Sequence, residues 1–215
     1  MTTSTYRNEQ HTQWQQCSTR TFWSDIAADD HVVQLYDTDE MLIRTLADYA
    51  ADGFDAGDAV VVIATPSHLN ELDIQLLNRN YALDQLIRSD RYIALDADQT
   101  LAQFMVNGRP VEKYFMATIS ALMKRARKNG NRVRAFGEMV VLLWQRGNAS
   151  GTLELEELWN KFCAVESLCL FCAYPKSDFN HDAGASVMHV CNAHSKQIRS
   201  DAALPDQLQY KQIRR

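Results

Sequence analysis

The sequence predicts an α/β fold with a mostly parallel β-sheet and helices on both of its faces. Short β-rich runs alternate five times with segments whose apolar residues recur at helical spacing. The run DAVVVIAT (58–65) is continuously apolar, which is typical of a strand buried on both faces. The 215 residues, of which 46% are hydrophobic and 23% charged, suffice for one such domain with short tails.

Composition also limits the classes of function. The net charge of −5 argues against direct binding of nucleic acid. No apolar run approaches the roughly 20 residues that a membrane span needs, and the amino terminus lacks the basic start and apolar core of a secretory signal. The five cysteines lie mostly in apolar runs, as buried reduced thiols do. We therefore expect a cytoplasmic protein without a membrane partner.

The first half of the chain contains three predicted strands. HVVQLY (31–36) is the first, and Asp37 with Glu40 resembles a capping box for the next helix. The second strand ends at Thr65-Pro66, a typical N-cap and first helical residue, and its helix should run to about Asn78. RYIALDA (91–97) is the third strand, and Asp96 repeats the capping pattern before a short helix that Gly108 ends.

The second half supplies two more strand–helix units. Pro110 should open a long helix that Gly130 closes. RVRAFGEMVVLLWQRG (132–147) predicts a buried strand, a sharp turn at Gly137 and a helix, and a further helix follows at about 150–164. SLCLFCAY (167–174) is the last strand, and a final helix is expected at 182–196.

These elements divide the chain into three parts. Residues 1–30 are polar with scattered aromatic side chains, and we expect a partly disordered arm. Residues 31–196 form the domain, and residues 197–215 form a polar carboxyl-terminal tail.

Polar side chains follow the predicted strands at the point where each strand ends. In an open α/β sheet that edge is where ligands bind. Arg134 is added as a charge partner for Glu138, whose burial would require one. The alternative for Asp37, Thr65 and Asp96 is that they only cap helices. The candidate ligand-binding residues are Tyr36, Asp37, Thr65, Asp96, Arg134, Glu138 and Tyr174.

Catalytic and metal-binding motifs are not evident in the sequence. Neither GxxxxGK[ST] nor GxGxxG occurs, and residues 36–40 place three carboxylates where a phosphate loop would lie. Cys169 and Cys172 should face opposite sides of one strand, so they cannot easily share an ion. Cys191 and His194 supply only two ligands. We therefore assign no catalytic residue, metal or cofactor.

The sequence resembles the MEDS family, the methanogen/methylotroph, DcmR sensory domain. The resemblance rests on the stretch from His31 to Tyr36, on Phe136-Gly137-Glu138-Met139 with Trp144, and on the end at Cys172–Pro175. It implies a RecA/KaiC-like three-layer sandwich that lacks the phosphate loop. It also implies a sensory domain for small organic ligands such as hydrocarbon derivatives, which acts on a histidine kinase or transcriptional regulator.

Two alternative functions follow from the same residues. RecA-like cores often assemble side by side, so the chain could be an interaction module that forms a homo-oligomer through its terminal arms. A residual nucleotide-binding enzyme would use Glu138 as base and Asp37–Glu40 to hold Mg²⁺. The missing phosphate loop makes that enzyme the least favoured of the three.

Overall fold

The computed structural model describes residues 14–16, 23, 26–27, 30–128, 130–179, 191–201 and 204–211. The strands are β1 (Trp14–Gln16), β2 (His31–Tyr36), β3 (Ala59–Ala64), β4 (Tyr92–Asp96), β5 (Met105–Val106), β6 (Arg109–Pro110), β7 (Val133–Gly137), β8 (Cys169–Pro175), β9 (Lys196–Asp201) and β10 (Leu204–Lys211). Eight of them form the main sheet in the order β1-β10-β9-β2-β8-β7-β3-β4, and the six from β9 to β4 run parallel. The other two, β5 and β6, form a small separate hairpin.

Helices cover both faces of the parallel sheet, which confirms the predicted fold class. Along β3, Val60 and Val62 join one apolar core while Val61 and Ile63 join the other, as alternating side chains must. The first three helices pack on one face and the next four on the other. The helices are α1 (Asp39–Asp55), α2 (Pro66–Asn78), α3 (Leu83–Arg88), α4 (Ala97–Ala102), α5 (Glu112–Ala126), α6 (Met139–Gln145) and α7 (Ala149–Val165), with a 3₁₀ turn at Lys176–Phe179.

The stretch expected as a polar tail instead extends the sheet. β9 pairs in parallel with β2, β10 pairs antiparallel with β9, and β1 from the expected arm pairs antiparallel with β10. Of the helix expected at 182–196, residues 182–190 lie outside the described part, residues 191–193 are helical, and a strand begins at Lys196. Their polar composition does not indicate strands, because they lie towards the edge of the sheet, where buried apolar runs are not required.

A second correction concerns the segment before α5. Asn107 and Gly108 both adopt positive φ, at 50° and 78°, which is the geometry of a tight hairpin turn. Gly108 therefore turns a hairpin rather than ending a helix. Pro110 lies in β6, and α5 begins two residues later at Glu112.

Helix caps and cysteines agree largely with expectation. Thr65 and Asp96 cap α2 and α4 as predicted, but the cap of α1 is Thr38 rather than Asp37. The four cysteines in the described part of the chain, Cys163, Cys169, Cys172 and Cys191, are buried thiols. None of the helices described is both long and apolar enough to cross a bilayer.

Arg134 lies near the amino-terminal end of β7 and pairs with Asp52 and Asp58. Its expected pairing with Glu138 is therefore wrong. Its Nε donates to Oδ2 of Asp58 at 2.8 Å, and its Nη2 lies 2.8 Å from Oδ2 of Asp52. Glu138 comes four positions after Arg134, and four steps along an extended strand span about 13 Å. The two side chains therefore serve opposite ends of β7.

Loss of the Asp58 carboxylate should destabilise the fold strongly. Arg134 and Asp58 are both buried, and removing one partner leaves a charge that water cannot solvate. We expect Asp58→Ala to lower the free energy of unfolding by roughly 3 kcal/mol, because Asp52 remains as a second partner. Asp48→Ala is the control, since its pair with Arg79 is partly exposed, and it should change stability by less than about 1 kcal/mol. Urea unfolding measures both, and equal effects would contradict this account.

Candidate functional site

A crevice opens where the parallel strands β2, β3 and β7 reach their carboxyl ends. Its volume is about 330 Å³, at the small end of the range for ligand pockets. Apolar groups supply part of the wall, and the rest is polar. The lining residues are Tyr36, Asp39, Thr65, Ser67, His68, Glu138, Val141, Leu142, Gln145, Pro175, Ser177 and Asp178.

Glu138 is the buried carboxylate of this crevice. It follows β7 directly, and because β7 and β3 are neighbours, its side chain reaches the end of β3. There the backbone N–H of Thr65 donates to Oε2 of Glu138 at 2.7 Å. Only 3% of Glu138 is exposed. A buried carboxylate needs such partners, so this bond fixes how the two strand ends meet.

His68 is the second partner of Glu138. Its Nδ1 lies within hydrogen-bonding distance of Oε1 of Glu138, and its Nε2 lies 3.6 Å from Oδ2 of Asp39. The hydrogen bond to Glu138 raises the pKa of His68 above 6.5, although partial burial opposes the rise. The imidazole is therefore held between two carboxylates, which favour its protonated form.

Tyr36 presents its phenol to the same crevice. Burial, and then the negative charge of Glu138, raise the pKa of Tyr36, so the hydroxyl stays protonated at any physiological pH. This hydroxyl makes no hydrogen bond to a residue that the structure describes. It is a donor and acceptor that a bound molecule can use.

The charges in the crevice define what it can bind. Among the described lining residues, three carboxylates, Asp39, Glu138 and Asp178, accompany one side chain that can become cationic, His68. That excess of negative charge repels phosphates and carboxylates. With the apolar surface of Val141, the arrangement suits a small neutral or cationic molecule that carries a polar group.

The family is decided by the extent of the sequence match. The profile of MEDS, the methanogen/methylotroph, DcmR sensory domain, matches residues 30–195. The chain belongs to the MEDS family. Comparison with the curated proteins gives no match.

A solved structure supports the fold of this MEDS chain. A KaiC-like protein from the hyperthermophilic archaeon Pyrococcus horikoshii OT3 superposes with a TM-score of 0.54 at 12% sequence identity. The similarity covers 86% of this chain and 79% of that one. The predicted RecA/KaiC-like three-layer fold is thereby confirmed.

Three predicted site residues come together in the crevice, namely Tyr36, Thr65 and Glu138. They share it because they end neighbouring or nearby parallel strands, as the strand-end argument requires.

The other four predicted residues lie outside the crevice lining. Asp37 accepts a hydrogen bond from Nζ of Lys176 at 2.7 Å, and Asp96 caps α4 by accepting from the N–H of Gln99 at 2.9 Å. Arg134 lies at the opposite edge of the sheet.

Tyr174 serves a different buried cluster. Its hydroxyl donates to Oε1 of Glu156 at 2.5 Å, on the face of the sheet that α4 to α7 cover. Strand ends alone could not predict this, because the direction of a side chain across the sheet also matters.

His68 is the central residue that sequence reasoning missed. It lies in the first turn of α2, three residues after its cap, Thr65, whose Oγ1 accepts from the N–H of His68 at 3.4 Å. First-turn side chains of helices that follow parallel strands overlook the same edge as the strand ends. Extending the strand-end argument by one helical turn would have found both His68 and Asp39.

We expect His68 to titrate above pH 6.5 in the folded protein, and Glu138→Gln to lower its pKa. Because the folded-state pKa is raised, the His68–Glu138 pair stabilises the fold fully below about pH 6.5. That contribution is lost as pH rises through the folded-state pKa. NMR titration of the imidazole resonances measures the shift.

Two features identify the signal in that titration. First, His68→Gln should remove the signal. Second, burial together with the charge of His194 lowers the pKa of His31 to about 3, so His31 does not titrate near neutral pH. An unchanged His68 titration in Glu138→Gln would contradict the assigned pair.

Proposed function

We propose that this MEDS chain is a sensory domain that binds a small organic ligand in the strand-end crevice, without transforming it. The observation that carries the proposal is the Tyr36 hydroxyl, which makes no hydrogen bond to any described residue and lines the crevice beside the paired side chains of Glu138 and His68. A phenol hydroxyl can both donate and accept a hydrogen bond, so the polar group of a ligand is a natural partner for this one. Membership of a sensory family supports the same conclusion.

Charge and size narrow the class of ligand. A volume of about 330 Å³ accommodates only a small molecule. The acidic lining disfavours anions, while Val141, Leu142 and Pro175 favour an apolar body. A hydrocarbon derivative with one hydroxyl, amine or halogen group meets these conditions.

Signalling requires that the ligand bind two states of the protein with different affinity. The crevice offers a route, because Thr65 and Glu138 stand directly before α2 and α6. A ligand that changes the hydrogen bonds of Glu138 to His68 and Thr65 would shift the first turns of α2 and α6. We propose that a partner such as a histidine kinase or transcriptional regulator, or a second copy of this chain, reads that shift.

The first test of ligand binding is native mass spectrometry of the freshly purified protein beside its denatured mass. A mass excess that disappears on denaturation gives the mass of a co-purified ligand. The second is saturation-transfer NMR with a panel of small alcohols, amines and halogenated hydrocarbons. No mass excess together with no binding from the panel would contradict the proposal.

Tyr36→Phe should weaken binding of any panel compound that scores by about 3- to 10-fold, the usual net value of one hydrogen bond. The fold should be unaffected, because the hydroxyl makes no bond to a described residue. Asp37→Asn is the matched control: it is the next residue, on the same rim, and its side chain is outside the crevice lining. Equal affinity of Tyr36→Phe and the wild type would show that the compound binds elsewhere.

A further inference from the structure

A second cluster of polar side chains, each with a potential metal-ligand atom, lies in the core, away from the crevice. It comprises His31 at the start of β2, Glu156 in α7, Cys172 in β8, and His194 just before β9. All four are buried, with exposures of 3%, 2%, 0% and 2% respectively. One potential ligand atom from each lies within 4.8 Å of all the others. Sequence spacing relates His194 only to Cys191 and does not reveal this set.

From this geometry we propose that His31, Glu156, Cys172 and His194 bind one Zn²⁺ ion. In a tetrahedral site with bonds of about 2.0 to 2.3 Å, neighbouring ligand atoms lie about 3.3 to 3.8 Å apart. The observed distances are 3.3 Å from Nε2 of His31 to Sγ of Cys172, 3.6 Å from that nitrogen to Oε2 of Glu156, and 3.7 Å from Oε2 to Nε2 of His194. Three edges of the tetrahedron are therefore already in place.

Outer hydrogen bonds orient two of the ligands. Nδ1 of His31 lies 2.9 Å from Oδ1 of Asn160, which can only accept, so Nδ1 carries the proton and Nε2 keeps its lone pair. The Tyr174 hydroxyl holds Oε1 of Glu156 and leaves Oε2 to face the cluster. Histidine and carboxylate ligands of metals are typically supported in this way.

The carboxylate oxygen at the centre of the cluster points to a cation. Oε2 of Glu156 is buried and accepts no hydrogen bond from the described part of the chain. A buried carboxylate oxygen left in this way is costly. A cation between Oε2 and the two imidazoles would satisfy it.

The donor set selects zinc among the common cations. Ca²⁺ and Mg²⁺ prefer oxygen ligands, whereas two imidazoles, one thiolate and one carboxylate are ligands that Zn²⁺ uses. Binding releases the Cys172 proton to solvent, and the thiolate and carboxylate charges then balance the ion. Since four protein ligands fill a closed tetrahedral shell, the ion would be structural rather than catalytic.

The position of His194 gives the ion a structural task. His194 stands two residues before β9, the strand that carries β10 and β1 on the main sheet. His31, Glu156 and Cys172 belong to the core of the domain. Zinc would therefore fasten the carboxyl-terminal extension of the sheet to the core.

Metal content tests the site directly. The full-length protein, produced in zinc-supplemented medium and freed of loose metal by gel filtration, should carry one zinc per chain by plasma mass spectrometry. Cys172→Ser and His194→Gln should each lower the zinc content at least tenfold. Cys169→Ser is the matched control, because it removes a buried thiol from the same strand on the other face of the sheet, and it should retain the zinc.

Cobalt substitution keeps the test decisive if a variant fails to fold. Wild-type protein refolded with Co²⁺ should show the strong visible bands of tetrahedral cobalt and a thiolate charge-transfer band, and Cys169→Ser should match it. Zinc-free wild-type protein that neither takes up Zn²⁺ on refolding nor gives these bands would overturn the proposal. So would equal zinc loss from Cys169→Ser and Cys172→Ser, or one equivalent of a different transition metal in place of zinc.

Discussion

Burial of the parallel sheet on both faces is the constraint on which the rest of this structure depends. Strands such as β3, with every residue buried, leave no room for unpaired polar groups along their length. Polar side chains therefore lie at the two ends of the strands or in buried clusters where each has a partner. The three polar centres of the protein follow this division.

The two ends of the sheet use buried charge in different ways. At the amino-terminal end of the strands, Arg134 pairs with both Asp52 and Asp58, and its bond to Asp52 joins α1 to β7. At the carboxyl-terminal edge, Glu138 and His68 pair beside an open crevice. Strand direction explains the asymmetry, because helices start at the carboxyl-terminal edge and diverge from the sheet there.

The third centre lies within the core itself. Glu156 points from α7 towards two histidines and Cys172, where a purely apolar core would place leucine or valine. Polar side chains in a core cost stability unless they are fully satisfied. Their presence here is explained if a metal ion satisfies them, and Tyr174 and Asn160 then hold the ligands rather than a sensed molecule.

Local sequence determined much of this fold. Apolar runs predicted five strands of the main sheet, namely β2, β3, β4, β7 and β8, and Thr65-Pro66 and Asp96 predicted two helix starts. These features are encoded by neighbouring residues, so reading the chain in order suffices. The strands β9, β10 and β1, which extend the sheet beyond β2, were missed because their polar sequences lack that apolar signal.

The sites were decided by tertiary structure. Strand-end reasoning found Tyr36, Thr65 and Glu138, because parallel strands must end at a shared edge. The partners of Glu138 and Arg134 depended on which end of a strand each residue occupies. The His31–Glu156–Cys172–His194 cluster joins residues up to 163 positions apart, from 31 to 194. Sequence alone specifies which strands are buried, but only the packed sheet specifies which side chains meet.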